Sequence, residues 1–222
     1  MQGERFAKIG TTITWSAETL AIVVLAILYA VGIVGITLPL HPDFVLLTPF
    51  NLLISLGLML AFHRGWNRNI IIFLGISYLV GFGAELFGVQ TGLLFGNYTY
   101  GRVLGPKLWG TPLMIGVNWV ILAYASGVIA NTLLPRQHWL LRAALAAALM
   151  VALDVLIEPV AMRYDFWSWA GDTVPLRNYV GWFVVALPLL CIFTFTQPNA
   201  RNKVAVALFI MQVVFFLMLN IL

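Results

Sequence analysis

Long apolar stretches separated by short polar or aromatic segments dominate the pattern of this chain. A stretch of about 17–25 apolar residues is long enough to cross the hydrocarbon core of a bilayer as an α-helix. Seven stretches have this character, and they cover residues 18–40, 45–62, 70–89, 112–134, 139–159, 179–196 and 204–222. The pattern therefore predicts an all-α fold, a polytopic transmembrane helical bundle of about seven spans that forms one domain over residues 1–222.

The first two stretches need separate arguments. Arg5 and Lys8 precede the first stretch, as basic residues precede the apolar core of a signal peptide. The uncharged run that follows is longer than the about 7–15 residues of such a core, and no small-residue cleavage site comes after it, so we expect a membrane anchor. The second stretch contains Pro49, Asn51 and Ser55, which makes it the weakest of the seven predicted spans.

The composition and the charges extend this picture, since 62% of the residues are apolar and 9% are charged. Soluble domains have about 45–50% apolar and about 25% charged residues, so a soluble class is excluded. Of the 12 Lys and Arg residues, one face of the predicted bundle carries Arg5, Lys8, Arg64, Arg68, Arg136, Arg142, Arg201 and Lys203, and the other carries Arg102, Lys107, Arg163 and Arg177. The positive-inside rule then predicts a cytoplasmic N-terminus. We expect a protein of the cell (inner) membrane, with no nucleic-acid partner.

Metal and cofactor chemistry have no candidate residues in the sequence. Cys191 is the single cysteine, and His41, His63 and His138 lie far apart at the edges of apolar stretches, without the spacing of a ligand set. We therefore expect no metal site and no cofactor. The sequence leaves the oligomeric state open.

Three acids lie inside predicted helices: Glu85, Asp154 and Glu158. An ionisable group in a membrane helix costs about 2.5–3.5 kcal/mol on insertion scales, so it marks a functional site unless it is paired. Asp154 and Glu158 are four residues apart and share one helix face, and two carboxyls this close resist double ionisation. One of them is expected to stay protonated as a general acid. The alternative is that the acids pair with basic residues of the loops and only fix those loops, the candidates being Arg102, Arg163 and Arg177.

Two long loops, residues 90–111 and 163–178, are predicted on the same face as the acids, and both are rich in aromatic residues. Their side chains form either an aromatic belt at the membrane interface or the wall of an apolar binding site that stabilises a cation. A shift of the sequence by 69 residues superposes the two loops, and it aligns Glu85 with Asp154, Tyr98 with Trp167, Tyr100 with Trp169, and Pro106 with Pro175. The shift suggests two related helix–loop–helix units that meet at a shared site.

Two ordered blocks around these residues resemble the integral-membrane carotenoid-biosynthesis proteins. The first block is ELFGVQTGLLFGNYTY at 85–100, followed by LGP at 104–106 and GTP at 110–112. The second is DVLIEP at 154–159, followed by DFWSW at 165–169 and VPLRNYVGW at 174–182. The resemblance covers residues 79–182, and the family includes carotenoid hydratases that act on gamma-carotene-type and bacterioruberin-type precursors.

The resemblance implies that water adds to the terminal double bond of an acyclic carotenoid end, as in lycopene or a gamma-carotene-like substrate, to give a tertiary alcohol. An alkene is a very weak base, so protonation requires a neutral buried carboxylic acid, and aromatic faces can shield the resulting cation. We assign Asp154 and Glu158 as the coupled proton donors and Glu85 as the carboxylate that orients water. The candidate substrate-binding residues are Tyr98, Tyr100, Trp119, Trp169, Asn178 and Trp182.

Three other interpretations fit the same residues. An acid-catalysed carotenoid cyclase would begin with the same protonation, but an internal double bond would capture the cation. A proton-coupled transporter also carries acids in its helices, although a relay places them across the whole membrane. A carotenoid-binding protein without catalysis would tolerate replacement of all three acids by amides.

Overall fold

Seven long helices account for most of the chain in the computed structural model, which describes residues 16–38 and 41–222. Their bounds are α1 Ala17–Thr37, α2 Thr48–Ala61, α3 Arg68–Thr91, α4 Leu113–Leu133, α5 Trp139–Arg163, α6 Leu176–Thr196 and α7 Lys203–Ile221. A 3₁₀ turn, Phe44–Leu47, leads directly into α2. Counted with this turn, all seven helices of the described ranges are long and apolar enough to cross a membrane. The prediction of an all-α multi-pass membrane protein is confirmed.

The predicted spans differ from the helices mainly at their ends. Helix α5 continues past Pro159, where the predicted span stops, as far as Arg163. Proline is tolerated inside membrane helices because neighbouring groups can satisfy the carbonyl that it frees. Helix α6 begins earlier than predicted, so Asn178 lies in its first turn and not in the preceding loop. Arg5, Lys8 and the last two residues of the first predicted span, 39–40, lie outside the described residues.

Helix α4 forms the centre of the bundle and is the most buried of the seven. Small residues allow large side chains to pack closely against it. Gly81 of α3 faces the ring of Trp119 in α4, and a Cβ atom at Gly81 would collide with that ring. Trp119 is fully buried as a result. This close packing of α3 on α4 brings the indole of Trp119 next to the end of α3 that carries Glu85.

A pair of short strands, which the sequence did not predict, holds the two long loops together. Strand β1, Tyr98–Tyr100, pairs with the last strand, Trp167–Trp169, in antiparallel register. Between them, β2 (Lys107–Leu108) and β3 (Thr111–Pro112) form a small hairpin, so the last strand is β4. In β1 and β4 the first and third residues are buried and the middle one is exposed. We call the β1–β4 pair the ribbon; its aromatic side chains therefore point into the protein.

The pairing of the two strands agrees with the repeat that the sequence suggested. The two prolines that the repeat aligned do not correspond in the structure. Thr99 and Ser168, 69 residues apart, lie opposite each other at the centre of the ribbon. Pro106, however, is not the structural counterpart of Pro175. The residue that directly precedes α4 is Pro112, as Pro175 directly precedes α6. The β2–β3 hairpin lengthens the first loop and breaks the constant shift.

Candidate active site

The three acids lie together beneath the ribbon. Glu85 projects from α3 and both Asp154 and Glu158 project from α5, and each residue is no more than 2% exposed. All three border one narrow cavity. The other residues of its wall are Tyr98, Tyr100, Ile115, Trp167, Trp169, Asn178 and Trp182.

Glu85 accepts three hydrogen bonds. The hydroxyl groups of Tyr98 and Tyr100 donate to Oε2 at 2.6 and 2.8 Å. The indole Nε1 of Trp119 donates to Oε1 at 3.1 Å. Both carboxylate oxygens are therefore occupied by donors, which is the arrangement that stabilises a buried carboxylate anion.

Glu158 is also surrounded by three donors, all of them N–H groups. The indole nitrogens of Trp167 and Trp169 both donate to Oε2 at 2.8 Å. The side-chain amide of Asn178 donates to Oε1 at 2.9 Å. An indole N–H can only donate, so Oε2 of Glu158 acts purely as an acceptor. These three donors can stabilise a negative charge on Glu158.

Asp154 has a different environment from the other two acids. Its Oδ2 accepts a hydrogen bond of 2.8 Å from the amide nitrogen of Asn178, the same nitrogen that bonds Glu158. Its Oδ1 is buried and has no hydrogen-bond partner among the residues that the structure describes. Within the same residues, Asp154 is therefore the only one of the three acids with a carboxyl oxygen that accepts no hydrogen bond, and a proton on that oxygen would meet no competing donor.

The hydrogen bonds show that the acids of the two repeat units correspond differently from the sequence alignment. The 69-residue shift aligns Glu85 with Asp154, but the contact pattern matches Glu85 to Glu158. Each of these glutamates receives two donors from the strand that follows its own helix, and the third donor comes from the next helix. Asp154 is thus the additional acid of the second unit.

The predicted aromatic wall is present around the acids. Trp119 and Trp182 stack with their ring centroids 4.5 Å apart, and Tyr98 lies 4.9 Å from Trp169 across the ribbon. Burial, together with the neighbouring Glu85, raises the pKa of Tyr98 and of Tyr100, so both phenols remain hydrogen-bond donors.

The structure brings all nine predicted site residues to this region, and it adds two that the prediction did not include. Trp167 donates to Glu158, and Ile115 borders the cavity. The alternation of Trp167, Ser168 and Trp169 was the available signal, because residues two apart in a strand share a face. Asn178 was predicted to contact substrate, but its amide nitrogen is used by Asp154 and Glu158.

The alternative in which loop arginines pair with the acids is wrong. Arg102 forms an ion pair with Asp43 at 2.8 Å, on the exposed surface. Arg163 donates to the backbone oxygen of Leu219, and Arg177 donates to that of Gly92. Within residues 16–38 and 41–222, no ion pair involves Glu85, Asp154 or Glu158. In the same ranges, no three His, Cys, Asp or Glu side chains are arranged to hold a metal ion.

The ribbon separates the cavity from a depression on the protein surface. Tyr98 and Trp169 border both spaces, the cavity on one side and the depression on the other. The depression is also lined by Asn97 and by the hydroxyl-bearing Thr99 and Ser168. Only the thickness of the ribbon therefore separates the acids from this polar surface.

Seven apolar helices surround a buried carboxylate cluster. The class is therefore that of multi-pass membrane proteins, with a candidate active site at one end of the helices. Residues 45–222 match the model of the family described as carotenoid biosynthesis protein. The chain belongs to this family, as its motifs predicted. The match extends beyond residues 79–182, over which the motifs indicated the resemblance, and it includes α2 and α7.

The chain is also similar to the bisanhydrobacterioruberin hydratase of Haloarcula japonica. The two are 28% identical over 184 residues, which cover 77% of this chain and 60% of the hydratase. The chain thus matches less than two thirds of the length of this relative. No solved structure matches the chain.

Proposed function

We propose that this protein is a hydratase of carotenoid biosynthesis. In this proposal it adds water to the terminal C=C bond of an acyclic carotenoid end group by acid catalysis, without a cofactor, and the product is a tertiary alcohol. The observation that carries the proposal is the free, buried Oδ1 of Asp154 beside two glutamates whose oxygens are occupied by donors.

Asp154 is the proton donor in this mechanism. It donates from Oδ1 to the less substituted carbon of the terminal double bond, so that a C–H bond forms and a tertiary carbocation remains. In this proposal Glu158 is the ionised member of the pair, because N–H donors fill its oxygens, and its negative charge favours the neutral form of Asp154 nearby. The sequence predicted that Asp154 and Glu158 act together as proton donors. In this mechanism Asp154 is the acid and Glu158 is the anion.

The cation is stabilised by the charges and rings around it. Glu85 and Glu158 contribute negative charge, and the stacked rings of Trp119 and Trp182 offer π-faces. The hydrogen bonds from tyrosine, tryptophan and asparagine hold the two carboxylates in place, which disfavours their covalent addition to the cation.

Water completes the reaction by adding to the tertiary carbon. Glu85 projects from α3 and the other two acids from α5, so Glu85 is suited to orient water opposite the proton donor. One C–O bond forms, and the proton that the water loses restores Asp154. The sum of the steps is the addition of one water molecule, with all three carboxyl groups returned to their starting states.

The substrate class follows from the family and from the relative, whose name states that it is a hydratase of bisanhydrobacterioruberin. We infer an acyclic-ended carotenoid such as lycopene or a gamma-carotene-like molecule. We also infer residence in the cell membrane with a cytoplasmic N-terminus, so that the ribbon and the acids are on the outer face. Residues 1–222 then form one catalytic domain.

A cyclase is the second candidate, because the acids and the stacked Trp119–Trp182 pair would serve a cyclisation as well. The test uses purified protein in liposomes with an acyclic-ended carotene in heavy-oxygen water, and Asp154→Asn as the inactive control. A hydratase gives an alcohol that carries the heavy oxygen. A cyclised product of unchanged mass would support the cyclase instead. Carotene that is bound but unaltered would support a binding protein.

A further inference from the structure

We propose that the polyene chain of the substrate occupies a channel between α1, α2 and α7, and that it enters this channel from the lipid between α1 and α2. The inference rests on the proposed function, because it assigns a place to the part of the substrate that does not react. The cavity at the acids is narrow, so a long polyene must extend elsewhere.

The channel begins at an inner chamber that adjoins the acids. Ile115 and Trp167 border both this chamber and the acid cavity. The rest of its wall comes from α1, α2, α4, α5, α7 and the two long loops, with Tyr29, Leu52 and Ile157 among the contributing residues. A chain that leaves the acids past Ile115 and Trp167 therefore passes directly into the inner chamber.

An outer chamber continues from the inner one toward the lipid. This outer chamber shares Thr48, Asn51 and Phe215 with the wall of the inner one. Val31 of α1 and Phe50 of α2 line its other end, where they are 51% and 64% exposed. Exposed apolar side chains on a membrane helix face the hydrocarbon, so this end opens into the bilayer.

The walls match an apolar chain and no charged ligand. Among the residues that the structure describes, no Asp, Glu, Lys or Arg lines either chamber, and the polar residues there are uncharged. The acid cavity and the two chambers lie in a row, with the acids at one end and the lipid at the other, and we take this row as the path of the polyene. A carotene dissolves in the hydrocarbon of the bilayer, so it can reach the acids along this path without crossing water.

Gly32 keeps the channel open at the point where the chambers meet. A Cβ atom at Gly32 would lie 3.0 Å from Cε2 of Phe215, which borders both chambers. A large side chain at this position would fill the outer chamber and push Phe215 toward the junction. Gly57 of α2 has no atom within 4 Å of the same added Cβ, so it provides a matched control.

The experiment compares Gly32→Phe with Gly57→Phe in two backgrounds. In the first, Asp154→Asn prevents turnover, and the carotene that co-purifies from a carotene-accumulating bacterium is measured by absorbance per protein. In the second, Asp154 is intact, and rates are compared for a full-length carotene and for a short acyclic isoprenoid hydrocarbon with the same terminal alkene. Membrane accumulation of each variant is recorded.

We expect Gly32→Phe to lower carotene binding, and turnover of the long substrate, by about tenfold or more, the scale of a misfit in an apolar pocket, with turnover of the short substrate nearly unchanged. Gly57→Phe should leave all three measurements at the parent values. Equal losses on the long and the short substrate, equal effects of the two glycine variants, or acyl lipid in place of carotene would each overturn the channel. Gly32-sensitive carotene binding without any hydration would retain the channel and reject the proposed reaction.

Discussion

Asp154 and Glu158 are joined through a single nitrogen atom. The side-chain amide nitrogen of Asn178 lies 2.8 Å from Oδ2 of Asp154 and 2.9 Å from Oε1 of Glu158. Its two hydrogens thereby hold one oxygen of each acid, and Oδ1 of Asp154 is left without a partner among the described residues. The predictions below concern this arrangement, the donors to Glu85 and the orientation of the chain.

The first prediction concerns the acids. Asp154→Asn, Glu158→Gln and Glu85→Gln should each lower hydration of an acyclic-ended carotene by about 10² or more, the usual scale for general acid–base groups. Each variant should still accumulate in the membrane, because an amide costs less to bury than a charge. Product formation per amount of membrane protein gives the comparison. Full activity of all three variants would remove the proposed mechanism.

The second prediction concerns the bridge. Asn178→Leu introduces an apolar side chain of similar size and removes both N–H donors, so Glu158 retains only its two tryptophan donors. A buried group that loses its partner costs about 1–3 kcal/mol, and more if it is charged. We expect a lower thermal unfolding temperature in detergent and a lower kcat, with KM for the carotene nearly unchanged. An increase in KM alone would assign Asn178 to substrate binding, as the sequence suggested.

The third prediction concerns pH. Burial and the nearby Glu85 raise the pKa of Tyr98 and Tyr100 above the ordinary tyrosine value of about 10. The stabilisation from these phenols is therefore fully present below that value and is lost as pH rises through the higher pKa of the folded state. In a spectroscopic titration of the folded protein near pH 10, Tyr98→Phe and Tyr100→Phe should leave the phenolate signal unchanged. A loss equal to one tyrosine would contradict the burial of these donors.

The fourth prediction concerns the orientation, which rests on the unequal division of basic residues. A reporter enzyme that is active only outside the cytoplasm should be active when it is fused after Leu222, and inactive when it is fused in the loop that contains Arg136. These two sites follow an odd and an even number of the seven helices, so each is the control for the other. The reverse result would place the ribbon and the acids at the cytoplasmic face.

The helices could be predicted because a membrane span depends on local apolar length, and the predicted ends differ from the structure by a few residues. The counterpart of Glu85 could not be found by a constant shift, because the two units have loops of different length. The ribbon could not be predicted either, since it forms between segments 69 residues apart. For the same reason, the sequence did not indicate that the indole of Trp167 donates a hydrogen bond to Glu158.

Each buried glutamate receives its donors from its own helical hairpin. Tyr98, Tyr100 and Trp119 all belong to the segment from α3 to α4, as Glu85 does. The three donors to Glu158 likewise belong to the segment from α5 to α6. During biosynthesis, each hairpin can therefore enter the bilayer with its carboxylate already satisfied, which lowers the cost of inserting an acid. Lateral association of the two hairpins then forms the ribbon and the indole stack, and the space between the acids is enclosed only at that later step.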